Sequence, residues 1–412
     1  MKVLLVGSGG REHALAWAMT RSPLLKELLI APGNPGTAAL GRNVAIPVHD
    51  FAALVDLARR ELIDLAVVGP DNPLAEGLVD QLQAAGVAAF GPTAAAARIE
   101  SSKAFAKQIM IEAGVATAEA HVFDDPATAA AFARNSGRAW VVKADGLALG
   151  KGVIVPDDLA GTLAAIAQLA ATPAGSRLLL EERLAGSEVS LLALCDGRRL
   201  LALPPARDYK RLGAGNSGPN TGGMGAVAPA PGVSADLAAT IVREMMQPVV
   251  DRLAARGTPF CGALYAGLIL TEAGPRMLEF NARFGDPETQ VVLPLLDGDL
   301  LAALLACAEG RLAPAMLRPR DGHAVCVVLA AAGYPAPPQR GDRISGLETV
   351  VDDVLIFQAG TAKQAENLVT DGGRVLGVTG LGADFATARA RAYAQVARID
   401  FAGKQYRDDI GL

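Results

Sequence analysis

Glu279-Phe280-Asn281-Ala282-Arg283-Phe284-Gly285-Asp286-Pro287-Glu288 reads as a β-strand running into a loop. On an extended strand, side chains two apart point the same way. Glu279 and Asn281 therefore share a face, while Phe280 turns to the core. A carboxylate and an amide oxygen presented together suit Mg²⁺ (or Mn²⁺), a hard ion that takes oxygen ligands and keeps positions open for nucleotide phosphates. Arg283 adds a planar cation for the same phosphates. A helix cap and a surface ion pair would use the same residues, so the stretch needs company.

Composition narrows the class. With 412 residues the chain can hold two or three domains with sizeable cores. It is rich in Ala and Gly, 51% apolar, with a formal charge of −5, which argues against a general nucleic-acid binder. Cys195, Cys261, Cys307 and Cys326 lie far apart with no C-x-x-C, as reduced thiols of a cytoplasmic protein do. His13, His49, His121 and His323 lack metal-ligand spacing. The apolar start Val3–Val6 is too short for a signal peptide, and no run has membrane-spanning length. The expectation is a soluble cytoplasmic enzyme, monomeric, with no nucleic-acid or membrane partner.

Residues 1–100 alternate short apolar runs with helical patterns. Val3–Val6, Leu28–Ala31, Val44–Val48, Leu65–Val68 and Val87–Phe90 read as strands. Glu12–Thr20, Phe51–Leu62 and Leu74–Ala85 read as helices. Such alternation predicts a parallel sheet with ligands at the carboxyl ends of its strands. From 101 to 318 the pattern becomes α+β, with helices at Lys103–Ala113, Leu159–Ala171 and Ala235–Ala255. The strands expected there are Ala139–Lys143, Val153–Val155, Arg177–Glu182, Glu188–Cys195, Leu264–Thr271 and Met277–Asn281. A lid subdomain is expected over about 121–190. The glycine-rich stretch Leu212–Ala230 has almost no periodicity and reads as a functional loop. Residues 319–412 form a small α+β unit with strands at Ala324–Ala331 and Arg374–Thr379 and a helix at Ala386–Ala397.

Two familiar nucleotide signatures fail. Gly7-x-Gly9-Gly10-x-Glu12 has Glu where a dinucleotide fingerprint needs its third glycine, although the loop and helix start can still hold a single phosphate. Asp145-Gly146-Leu147-Ala148-Leu149-Gly150-Lys151-Gly152 has three residues between its glycines, not the four of a P-loop, and no Ser/Thr after the lysine. It reads instead as a hairpin lid: Gly146, Gly150 and Gly152 let backbone approach a triphosphate, with Lys143 on the strand leading in. An ordinary glycine-rich hairpin is the alternative. The connection Glu181-Glu182-Arg183-Leu184 could read an adenine edge through its backbone, with Glu188 holding ribose hydroxyls.

Lys143, the glycine lid, the Glu181–Leu184 connection and Glu279-x-Asn281, in this order, resemble the ATP-grasp carboxylate–amine ligases. The likeness is closest to the phosphoribosylamine–glycine ligase family. The residues that carry it are Gly9-Gly10-Arg11-Glu12-His13-Ala14-Leu15-Ala16-Trp17, Ala31-Pro32-Gly33-Asn34, Lys143–Ala148, Gly150–Val153, Gly218-Pro219-Asn220-Thr221-Gly222-Gly223-Met224-Gly225-Ala226 and Glu279–Gln290. The resemblance spans essentially the whole chain. It implies a Rossmann-like N-terminal domain (1–100), a split ATP-grasp unit (101–318) and a C-terminal domain (319–412) that closes the site.

The resemblance also implies roles. ATP would lie against Lys103, Lys143, Gly146, Gly150, Lys151, Gly152, Glu181, Glu182, Leu184 and Glu188, with the metal on Glu279 and Asn281. The phosphate of 5-phosphoribosylamine would be held at Gly9, Gly10, Arg11 and Glu12, with Asn34, Pro70 and Asp71 near its sugar and amine. Arg283, Lys143, Asp208 and Lys210 are the expected catalytic groups, and Asp208, Lys210, Asn220 and Asp286 line the pocket for glycine and phosphoribosylamine. Asp286 could hold the glycine ammonium or could cap the helix after Pro287. Glycyl phosphate is the implied intermediate, protected from water by the glycine loops at 146–152 and 213–225. Three departures stand out: Asp71 where the family has Glu, Tyr209 where it has His, and an end at Leu412 short of a common tail. The alternatives are another ATP-grasp ligase, such as a biotin-carboxylase relative, and a nucleotide-binding protein without catalysis.

Overall fold

The alternating pattern of the first hundred residues builds a five-stranded parallel sheet. Its strands are β1 (Lys2–Gly7), β2 (Glu27–Pro32), β3 (Arg42–Asn43), β4 (Leu65–Val68) and β5 (Ala89–Phe90), in the order β3-β2-β1-β4-β5. This is a computed structural model, and it describes residues 1–147 and 152–412. Val3–Val6 and Leu65–Val68 are buried throughout, as strands covered on both faces must be. The chain leaves β1 toward β2 on one side and returns through β4 on the other. Ligand crevices form where strand order reverses in this way. The turns after β1 and β4 meet there: the Gly69 N–H donates to the Val6 carbonyl at 3.1 Å.

Two expectations in this domain need correction. Only Arg42–Asn43 pairs as a strand; residues 44–48 do not. Pro47 has no donor for a ladder, and Val44, Ile46 and Val48 instead lie partly buried against the core. The helix expected over Leu74–Ala85 is two, Asp71–Ala75 and Leu78–Ala84, divided at Gly77, whose φ of 88° only glycine adopts at ease.

The middle of the chain forms two antiparallel sheets. One runs Leu200–Ala202, Ser187–Asp196, Cys261–Thr271, Gly274–Asn281. The other runs Ala120–Phe123, Leu178–Glu181, Val141–Ala144, Val153–Ile154. Helices Pro126–Ser136 and Leu159–Ala170 enclose a small core around Trp140 on the second sheet. The helix expected over 235–255 carries a π turn at Val242–Met246 between Ala235–Ile241 and Gln247–Ala255. Pro248 has no N–H to return to the preceding turn, which accounts for the irregularity.

The glycine-rich stretch 212–230 is not a loop. It supplies the hairpin Arg211–Gly213/Ser217–Asn220 and the strand Gly225–Ala228. That strand enters a five-stranded sheet in the order Arg207–Asp208, Gly225–Ala228, His323–Ala330, Arg374–Gly382, Val354–Gln358. The sheet therefore takes strands from both sides of residue 318, and helix Phe385–Val396 packs on it. The glycines serve close approach: a Cβ on Gly225 would stand 2.6 Å from the Cys326 carbonyl oxygen, and one on Gly223 2.5 Å from Pro287. Their lack of side chains hides the strand pattern from the sequence. Gly225→Ala forces backbone apart in this sheet and is expected to cost about 1–3 kcal/mol, seen as a lower urea midpoint for the domain. An unchanged midpoint would contradict the packing.

Candidate active site

Glu279 lies on strand Gly274–Asn281 opposite Gly267, and Asn281 lies opposite Tyr265, two residues along the same face. Gly267 leaves room above the acid, since a Cβ there would sit 3.2 Å from Glu279 Cγ. The Glu279 carboxylate is partly buried, and burial pushes its pKa up. The attraction of Lys210, Lys143, Lys103 and Arg283 outweighs this and holds it below the ordinary range. The acid is thus ionised and faces cations at longer range. An ionised carboxylate and an amide oxygen on one face are a donor set for a hard divalent ion that keeps water and phosphate ligands.

Arg283 follows on the turn. Its guanidinium pairs with Glu100 at 3.2 Å and donates to its neighbour's carbonyl, Phe284 O, at 3.2 Å; Nε is buried without a partner. Glu100 also accepts the Ala282 N–H at 2.7 Å, so one carboxylate fixes both the turn and the arginine. Burial raises the Glu100 pKa against the pull of Arg283. Asp71 stands near both, adding to the shifts of Glu100 and Arg283. Its carboxylate accepts the Asn72 N–H at 2.9 Å, just beyond Pro70, which caps the short helix.

The lysines come from three elements. Lys103, at the start of helix Lys103–Glu112, donates to Gly146 O at 2.8 Å, and burial lowers its pKa. Lys143 is buried on strand Val141–Ala144 and pairs with Glu181. Lys210 pairs with Glu188 at 2.9 Å. Burial works against its charge, but Asp208, Glu188, Tyr265 and Glu279 hold its pKa well above the ordinary value. Asp208 is pushed up to about 7 by burial, opposed by Lys210 and reinforced by Glu288, Glu188 and Glu279. Beneath them Ser190, Tyr265 and Glu288 form a buried chain: the two hydroxyls are 2.6 Å apart and the tyrosine donates to Glu288 at 2.8 Å.

A second cleft wall joins the N-terminal loop to Asp286. At Gly10 a Cβ would meet Gln290 Nε2 at 2.7 Å; at Gly9 it would meet Glu12 Oε2 at 2.9 Å, with Asp286 at an ordinary contact distance of 3.6 Å. Asp286 accepts from Gln290 at 2.8 Å and pairs with Arg374 at 3.2 Å. Arg374 also donates to Gly222 O at 2.6 Å and Asp286 O at 2.7 Å. Burial raises the Asp286 pKa, but Arg374 and Arg11 lead the groups that bring it below the usual carboxylate range.

Several of the expected groups are engaged in bonds within the fold. Asp286 does not cap the next helix, Thr289–Val292, which has no side-chain cap. Glu12 is buried under the loop, accepting the Gly9 N–H at 2.7 Å and Arg11 Nε at 2.6 Å; the Gly9 donor is thereby spent. Arg11 reaches on to Phe284 O at 3.2 Å. Asn34 donates to Ser8 O and Gln358 O and accepts from the Gly36 and Thr37 N–H groups, so its amide has nothing left for a sugar. Glu181 turns its side chain inward to Lys143 and Lys107, which leaves any reading of an adenine edge to the backbone of this connection. The Glu182 N–H goes to Glu119 O, and the residues around Leu184 lie outside any strand. Gly152 accepts from Ala144 N–H at 2.8 Å, while Gly150 and Lys151 lie outside the described residues. Asn220 is exposed on its hairpin, beside Thr221, whose N–H bonds Lys210 O. Tyr209 turns away, its hydroxyl accepting the Gly411 N–H at 3.2 Å. His13, lowered by burial to about 4, accepts from Gln358 N–H and packs edge-on to Phe357.

Glu100, Lys107, Ser190, Tyr265, Glu288 and Arg374 were not expected at the site. Two carried a signal: Lys107 stands four residues after Lys103 on one helix face, and Glu288 lies within the Glu279–Gln290 string.

Three family models cover the chain: phosphoribosylglycinamide synthetase N domain over 1–100, its ATP-grasp (A) domain over 101–289 and its C domain over 324–412. The chain is 50% identical over 416 residues to a phosphoribosylamine–glycine ligase of Synechocystis, covering 100% of this chain and 99% of that one. It is 46% identical to the Brucella melitensis ligase, covering 100% and 97%. The crystal structure of the Thermotoga maritima phosphoribosylamine–glycine ligase superposes with a TM-score of 0.87 at 35% identity, over 99% of this chain and 100% of that one. The biotin carboxylase domain of Hydrogenobacter thermophilus 2-oxoglutarate carboxylase, solved with MgADP, shares the fold at 16% identity and TM-score 0.74, over 98% of this chain and 91% of that one.

The Asp208 shift has a consequence for stability. Its folded pKa of about 7 lies above the unfolded value, so between the two the folded state binds the extra proton and loses stability as pH rises. Asp208→Asn removes this dependence. The stability of the variant relative to wild type, from urea midpoints, is expected to increase from pH 5 to pH 8; a difference that is flat or falls would refute the assignment.

Proposed function

The chain belongs to the phosphoribosylglycinamide synthetase family, and on that footing we propose that it is an ADP-forming ligase joining glycine to 5-phosphoribosylamine. The products are glycinamide ribonucleotide, ADP and phosphate, in de novo purine biosynthesis. The observation that carries this reading is the ionised Glu279 carboxylate beside Asn281, ringed by Lys103, Lys143, Lys210 and Arg283. A pocket so lined suits a polyphosphate and its metal ion.

In the first step a glycine carboxylate oxygen attacks the γ-phosphorus of ATP and the bond to the ADP oxygen breaks, leaving glycyl phosphate. Two anions must meet, so neutralisation dominates the barrier. Lys143 and Lys103 would take the α/β-phosphates and Arg283 the transferred group. Glu100 holds Arg283 in place for this. Each charge-assisted contact is worth on the order of 1.5–3 kcal/mol, so several are needed. Mg²⁺ on Glu279 and Asn281 would supply further neutralisation of phosphate charge. In the second step the phosphoribosylamine nitrogen attacks the acyl carbon, phosphate leaves, and the nitrogen gives up a proton. Asp208, with its pKa near 7, suits that proton.

Asp286 would face the glycine ammonium, held by Gln290 and Arg374. Arg11 and the start of the helix at Gly10 would stand toward the phosphoribosylamine phosphate. Backbone around Glu182 and Leu184 and the Glu188 carboxylate would receive the nucleoside. No helix among the described residues is long and apolar enough to cross a membrane, in keeping with a cytoplasmic enzyme.

ADP release is expected to require both glycine and phosphoribosylamine, and ¹⁸O on the glycine carboxylate is expected to appear in inorganic phosphate. Label retained wholly in the amide and unreacted glycine would sink the mechanism. Glu279→Ala should abolish turnover and its dependence on divalent ion with the fold unchanged by circular dichroism; near-normal activity would overturn the metal assignment.

A further inference from the structure

One carboxylate, Glu181, lies between two buried ammonium groups, and the two are not held alike. Lys107 sits on helix Lys103–Glu112 and is 3% exposed; Lys143, on the strand beside Glu181, is 6% exposed, and Glu181 itself 2%. Both lysines pair with Glu181, one on each oxygen. An ammonium has three donors. Lys107 spends the other two on Thr117 Oγ1 at 2.6 Å and Ala118 O at 3.2 Å. Thr117 in turn donates to Met277 O at 2.7 Å, on the strand that carries Glu279. Lys107 is therefore held by three groups, paired with Glu181 and hydrogen-bonded to Thr117 and Ala118. Among the described residues Lys143 pairs with Glu181 alone.

We propose that Lys107 is a positioning residue that keeps Glu181 in place while Lys143 exchanges that carboxylate for the phosphates of the nucleotide. The inference rests on the ligase reading of the site, which makes Lys143 a phosphate ligand. Without nucleotide, Glu181 stands in for a phosphate and keeps the Lys143 charge compensated. When a polyphosphate arrives, Lys143 can leave only if the buried carboxylate keeps a partner, because an uncompensated buried charge is strongly unfavourable. Lys107 is that partner. Its ties to Thr117 and, through it, to Met277 fix the retained carboxylate relative to the Glu279 strand.

Removing Lys107 leaves Glu181 with Lys143 alone, and the carboxylate then competes with the nucleotide for it. Removing the carboxylate as well ends the competition. The test is MgADP binding by calorimetry on the full chain, without glycine or phosphoribosylamine. Lys107→Met is expected to weaken binding by about tenfold, the scale of one charge-assisted contact. Lys107→Met combined with Glu181→Gln is expected to recover to within about threefold of wild type, on the same scale. A merely structural role predicts that the second substitution adds to the damage. The proposal is overturned if Lys107→Met binds within about twofold of wild type, or if the double variant binds no better than the single. Glu181→Gln alone leaves Lys107 with Thr117 and Ala118 and is expected to bind MgADP at least as tightly as wild type; weaker binding than wild type would also overturn the proposal, whether or not Lys107→Met folds. Wild-type turnover with glycine and phosphoribosylamine tests the ligase reading separately, so either can fail without the other.

Discussion

A carboxylate kept ionised away from bulk water needs cations around it, and Glu279 sets that requirement for the whole site. Burial alone would protonate it and remove its value as a metal ligand. The compensating charges come from the start of helix Lys103–Glu112, from strand Val141–Ala144, from the 207–210 segment and from the turn after Glu279. No single element could present four cations to one acid without their repelling each other on a common backbone. Drawing them from separate elements makes the site depend on the packing of those elements. Three of the four carry counter-ions of their own, Glu100 for Arg283, Glu181 for Lys143, and Asp208 and Glu188 for Lys210, while Lys103 donates to the Gly146 carbonyl. Two shells of alternating charge result, with the inner acid left clear of close partners.

The same logic explains the second wall. Asp286 is held between Gln290, four residues on, and Arg374, nearly ninety residues on in the chain. Arg374 also grips the Gly222 carbonyl, and the strand after it, Gly225–Ala228, belongs to the sheet that carries Arg374. Glycine-rich backbone is used here for contact distance. Gly10 admits Gln290, and Gly223 admits Pro287. Side chains at these positions would hold the N-terminal domain, the acid-bearing turn and the C-terminal sheet apart. His13, on helix Gly10–Met19 and packed edge-on to Phe357, and Asn34, bonded to Ser8 and Gln358, fasten the same junction.

Much of this was legible in order along the chain. The apolar runs Val3–Val6 and Leu65–Val68 have one stable arrangement when covered on both faces, and they gave the parallel sheet and its ligand edge. The two-residue period of a strand placed Glu279 beside Asn281. Side-chain direction was harder to read. Asn34 and Glu12 looked available for substrate because both types bind ligands well, yet the same hydrogen-bonding capacity lets a tight turn consume them. Stretch 212–230 looked irregular because glycine has no side chain to register a period, although its backbone pairs as a strand.

By itself, the sequence determined most of the helices and strands, where many of the glycine turns fall, and that a carboxylate–amide pair stands on one strand face; these follow from local sterics and short-range periodicity. Only the tertiary structure decided which charges meet. Glu100 reaches Arg283 across 183 positions, Arg374 reaches Asp286 across 88, and Tyr265 finds Ser190 across 75. Electrostatic partnership depends on distance in space and on exclusion from water, and neither quantity exists until the domains are packed.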